Sequence, residues 1–146
     1  MALAWQHLAM AYEDGIPRSR RGWAIAGGDV LVIATLVLVG QLNHGVDPLE
    51  TPLYSIIGIG PFVSGWLVAA LLSGVYAQPT LERGGGAKLV TVTWLGAANI
   101  GLILRTSPAI PGGVTWPFGV VITGFGLIAL LLWRGGLSVW FSGKFT

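Results

Sequence analysis

The stretch WAIAGGDVLVIATLVLVGQL, Trp23 to Leu42, runs for twenty residues and carries one charge, Asp29. A helix rises about 1.5 Å per residue, so this length crosses the roughly 30 Å hydrocarbon core of a bilayer. Three more stretches of the same kind follow: Leu53 to Ala77, Ala87 to Arg105 and Trp116 to Trp133. Backbone groups in lipid must bond within their own segment or within a closed barrel. Barrel strands would alternate polar and apolar residues, and these stretches do not. The pattern therefore predicts an all-α membrane protein, with four transmembrane helices in an antiparallel bundle.

The segments between these spans hold the turn formers. Asn43, Gly45 and Pro48 lie in the first linker, Gln78, Pro79 and Gly84 to Gly86 in the second, and Pro108, Pro111, Gly112 and Gly113 in the third. Trp23, Trp116 and Trp133 stand at span ends, where interfacial aromatics belong. Residues 1–22 are expected to form a cytoplasmic N-terminal segment, 23–134 the transmembrane domain and 135–146 a cytoplasmic tail. Trp5, Leu8, Ala9 and Tyr12 share one helical face, as in a short helix lying on the membrane surface.

Composition narrows the function classes. Charged residues are 10% of the chain, against about 25% in a soluble domain. Mean hydropathy is +0.75. The chain has no cysteine, which excludes disulfides, thiolate metal sites and thiol nucleophiles. The net charge of +2 comes from scattered basic residues, so the pI near 9.4 does not indicate nucleic acid. Gly84 to Gly86 is not a phosphate loop, because no Gly-Lys-Ser/Thr follows it. No cofactor motif and no serine–histidine–acid arrangement is visible, so an enzyme is not expected. His44, Asp47 and Glu50 have metal-ligand residue types, but Pro48 interrupts them and no second histidine is near; no metal is expected.

Arg18, Arg20, Arg21, Arg83, Lys88, Arg134 and Lys144 fall on one side of the four spans, and Arg105 alone on the other. The positive-inside rule then puts both termini and the middle linker in the cytoplasm, in a multi-pass protein of the cell membrane. Small residues four apart, such as Gly65 and Ala69 or Ala97 and Gly101, let helix backbones approach. They serve packing within one bundle or, alternatively, a homodimer or larger membrane assembly.

Asp29 needs a reason to be where it is. It lies roughly 9 Å inside the span from Trp23, and an ionised carboxylate there costs about 3 kcal/mol. Thr91 and Thr93 should share its level, so a protonatable site with those hydroxyls is one reading. A fixed pair with Arg20 or Arg21 is the other. Thr35, Ser64, Asn99 and Thr123 come from four different spans and suggest either interhelical hydrogen bonds or a small polar site. On the outer face, His44, Asp47, Glu50 and Arg105 are candidates, with Arg105 expected to clamp Asp47 or Glu50 and a contact to a substrate anion as the less favoured alternative. Pro61 removes a helical hydrogen bond and, with Gly58 and Gly60, predicts a kink that is either static or a hinge.

The segments Asp29 to Gly40, Asn43-His44-Gly45-Val46 and Pro61-Phe62-Val63-Ser64-Gly65-Trp66 resemble a four-helix membrane family of haloarchaea and actinobacteria, domain of unknown function 3054. The Gly101 to Arg105 end of span three and Phe118 fit the same pattern. The resemblance covers about Gly28 to Arg134. It implies a small integral membrane protein and puts Asp29, His44, Pro61, Gly65, Trp66 and Arg105 in the common pattern. It supplies no activity, ligand or cofactor. The version closest to this chain looks haloarchaeal, which would mean high salt and heavy screening of exposed charges. A transporter or permease working through Asp29 is the leading expectation, and an accessory subunit of a larger membrane complex the alternative.

Overall fold

The computed structural model describes residues 3–6, 16–77, 86–110 and 112–142, and it is all helical across the predicted spans. Four helices carry the fold: α1 (Arg20–Asn43), α2 (Pro52–Ser73), α3 (Ala87–Arg105) and α4 (Trp116–Ser142). Each is long and apolar enough to cross a membrane. They run alternately up and down, and each packs on its neighbours in sequence, with α4 closing the square against α1. One end of the bundle therefore carries the start of α1, the end of α2, the start of α3 and the end of α4. The other carries the α1–α2 and α3–α4 loops. Of the expected surface helix, residues 3–6 are helical, whereas Leu8, Ala9 and Tyr12 lie outside the described residues.

The helix ends follow local chemistry. The Ser19 hydroxyl accepts a 3.0 Å hydrogen bond from the Gly22 amide and starts α1 three residues before Trp23. Gly74, at φ 66°, closes α2 in the left-handed conformation that glycine adopts freely. The helix thus stops at Ser73 instead of running on to Ala77. α4 does the reverse and continues through Arg134, Gly135 and Gly136 to Ser142. Hydropathy marks where charge begins, not where the helix ends. α2 is helical throughout, with Pro61 inside it and buried.

α2 and α3 form the most extensive contact. A Cβ on Gly65 would strike the Ala97 carbonyl oxygen, and one on Gly101 would come within 2.7 Å of Phe62. The small-residue pairs Gly65/Ala69 and Ala97/Gly101 are therefore spent inside the bundle. Tryptophans fill two further glycine notches: Trp94 lies on Gly126 of α4, and Trp133 of α4 lies on Gly28 of α1. Phe62, Trp66, Trp94, Ile33 and Leu130 are fully buried and plug the bundle centre. The apolar outer surface, including Leu31, Leu72, Ile103 and Leu132, is left to lipid.

Candidate functional site: a buried ion pair and a cavity at the opposite end

Asp29 is fully buried and meets Arg134 of α4. Arg134 Nη2 donates to Asp29 Oδ2 at 2.7 Å and its Nε to Oδ1 at 3.0 Å, a two-pronged pair with planar geometry suited to a carboxylate. The Tyr76 hydroxyl, just beyond α2, donates to Oδ2 at 2.6 Å. Trp66 Nε1 in turn donates to the Tyr76 oxygen at 2.8 Å. The Arg134 guanidinium carbon also lies 5.3 Å from the centre of the Tyr76 ring. Two adjacent residues of α1 thus grip two adjacent residues of α4: Gly28 receives Trp133, and Asp29 receives Arg134. A one-residue slip would move a tryptophan onto a carboxylate, so this double contact fixes the register of the two helices.

Neither reading offered for Asp29 names its partner: it pairs with Arg134, not with Arg20 or Arg21. Thr91 and Thr93 take no part. The Thr91 hydroxyl donates to the Ala87 carbonyl, and the Thr93 hydroxyl lies 2.7 Å from the Leu89 carbonyl and 2.8 Å from Ser73 Oγ. They match Asp29 in depth, but α3 is diagonal to α1 in the square. Helical threonines also satisfy themselves on the preceding turn.

The four mid-span polar residues are not gathered into one site. Thr35, Ser64 and Asn99 are exposed on the bundle surface, and the Asn99 amide donates to its own Leu95 carbonyl. Thr123 is partly buried, and its backbone carbonyl accepts from Trp94 Nε1 at 2.8 Å.

At the loop end, α1, α4 and the two loops enclose a cavity of about 430 Å³. Its apolar wall is made by Leu36, Val37, Val121, Ile122 and Phe125. Its polar end holds Gln41, His44, Tyr54 and Arg105. The structure thus brings His44 and Arg105 to one cavity, while Asp47 and Glu50 stay exposed outside its lining. Asp47 is occupied locally, its Oδ1 accepting from the Leu49 amide at 2.8 Å in a tight turn. Arg105 instead donates to the Gly113 carbonyl at 3.0 Å and lies 4.8 Å over the Phe118 ring. Glycines make room for this arrangement. A Cβ on Gly58 would come within 2.6 Å of Gln41 Nε2, and one on Gly112, at φ 103°, within 2.6 Å of Arg105 Nη2.

Arg134, Tyr76, Gln41 and Tyr54 escaped the sequence reading. Arg134 left a trace: it lies six residues before Trp140, as Asp29 lies six after Trp23, and both tryptophans are exposed. On antiparallel helices, equal spacing from the interface means equal depth.

A family model described as Protein of unknown function (DUF3054) matches residues 26–137. That stretch contains the ion pair and the cavity. No curated protein and no solved structure matches the chain.

Proposed function

This chain belongs to the DUF3054 family, which brings no activity with it, and we propose that it is a permease-like protein of the cell membrane. In this reading the loop-end cavity receives a small ligand from outside, and the Asp29–Arg134 pair holds the cytoplasmic end closed. The orientation follows the excess of basic residues at the terminal end, which persists without Arg134. One observation carries the reading. The bundle is hollow at one end and sealed at the other by a buried charge pair joining α1, α4 and the chain after α2. An alternating-access protein needs this asymmetry in each of its states. Gly58, Gly60 and Pro61 would serve as the hinge, since α2 gives up a hydrogen bond there beside the cavity. Binding and passage are assigned, without a chemical step.

The absence of cysteine makes a clean test available. A single cysteine replacing Ile33, which is 1% exposed between the ion pair and the cavity, reports on opening. In vesicles of known orientation, a membrane-impermeant thiol reagent applied from the terminal side should label it slowly. Adding Arg134→Gln should accelerate labelling several-fold. Labelling unchanged by loss of Arg134, in a variant that still folds, would count against a gate at this end.

A second reading has one observation in its favour. α4 buries the smallest share of its residues of the four helices, leaving Val121, Phe125, Ile128 and Leu132 outward. An accessory subunit would use that face against a larger membrane assembly, and native co-purification would reveal the partner.

A further inference from the structure

Among the described residues, Arg105 has no carboxylate partner. Its hydrogen bond goes to a neutral carbonyl, and no Asp or Glu lines the cavity beside it. Arginine retains its charge under any condition a protein meets. A partly buried guanidinium with no counter-ion, next to an apolar chamber, is an electrostatic demand that the fold leaves open.

The rest of the chamber suits a different chemistry. Leu36, Val37 and Ile122 continue the wall toward the bundle centre. Val39, Val121 and Phe125 line it too, yet remain 48%, 52% and 60% exposed. The wall between α1 and α4 is therefore open sideways, at a level where acyl chains would stand. Cationic head and lipid-facing apolar body are continuous in one cavity.

We infer that this cavity takes an amphipathic anion. A carboxylate or phosphate head sits against Arg105, and an apolar chain lies between α1 and α4. The inference deepens the permease reading and depends on it for the ligand's passage only, not for its binding. His44 and Tyr54, at the same polar end, add donors around the head.

The test uses the full chain in a neutral detergent, titrated with phosphatidylglycerol, decanoate or uncharged decanol and read by native mass spectrometry. At least one anion should bind more tightly than decanol by about tenfold, the order supplied by one charge-assisted hydrogen bond. Arg105→Gln should remove that preference, and Arg105→Lys should retain part of it. Preference for phosphatidylglycerol identifies a membrane lipid as the source, and preference for decanoate a free carboxylate; either supports the class. Val121→Trp fills the wall while leaving Arg105 in place, and should abolish the complex. It carries the test if Arg105→Gln does not fold. Decanol binding as tightly as both anions overturns the inference, as does anion binding undiminished by either substitution. Anion binding together with a silent Ile33→Cys probe would sink the transport reading and leave this one standing.

Discussion

Arg134 and Arg105 stand at opposite ends of the same bundle and meet opposite surroundings. Arg134 is 5% exposed, about two turns inside the end of its helix, and both oxygens of Asp29 face it. Arg105 closes its helix, donates to a neutral carbonyl and borders an open chamber. The more deeply buried charge is the one whose counter-charge lies within the chain, although its Nη1 has no hydrogen-bond partner. Bringing a lone ion into a low-dielectric interior costs several kcal/mol, roughly what a well-formed pair must offset. Arg134 therefore belongs to the architecture. Arg105, half-solvated at a loop end, can stay unmatched at a cost the fold tolerates, and remains available to a ligand.

The largest expected effect breaks the matched side. Replacing either Asp29 or Arg134 alone, by Asn or Gln, leaves an uncompensated buried group and should destabilise the bundle by about 3–5 kcal/mol, measured by detergent-titrated unfolding. The double replacement Asp29→Leu with Arg134→Met should recover most of that loss, because an apolar pair of similar volume is often neutral or better. If the double variant is no more stable than the singles, Asp29 and Arg134 are not acting as a pair.

A smaller effect tests the neighbouring contact. Gly28→Ala places a methyl group into the Trp133 ring, with the backbones of α1 and α4 already in register. Overpacking of this kind costs about 1–3 kcal/mol. Because Trp133 and Arg134 are adjacent, the displacement should also loosen the ion pair. Gly28→Ala combined with Arg134→Gln should then cost less than the sum of the two. Full additivity would mean that the notch and the pair fix register independently.

The bundle was legible in the sequence because lipid imposes one rule on every span, and apolar length reports it directly. The start of α3 at Ala87 and its end at Arg105 follow from that rule. What hydropathy does not carry is adjacency. Thr91 and Thr93 stand near the depth of Asp29 but on the diagonal helix. A charge ends an apolar run, so hydropathy places Arg134 with the cytoplasmic basic residues, although Leu137, Val139 and Trp140 resume the run. The cavity was less legible still. His44 and Arg105 came into view as outer-face residues, but the chamber exists only because α4 packs beside α1 and two loops fold over the gap.

The smallest expected effect on stability belongs to Arg105, and it decides whether the two arginines really differ. Arg105→Gln removes one hydrogen bond to Gly113 and one ring contact with Phe118, together a modest loss. It also removes an unmatched positive charge from beside an apolar chamber, a gain that offsets part of that loss. The balance should move unfolding by no more than about 1 kcal/mol in either direction. A loss approaching that of Arg134→Gln would mean that the bundle itself satisfies Arg105. The cavity would then be a by-product of helix packing, with no unmet charge to attract an anion. A near-silent Arg105→Gln that still abolishes the preference for anionic amphiphiles separates the two roles: one arginine holds the helices together, and the other holds something that is not part of the chain.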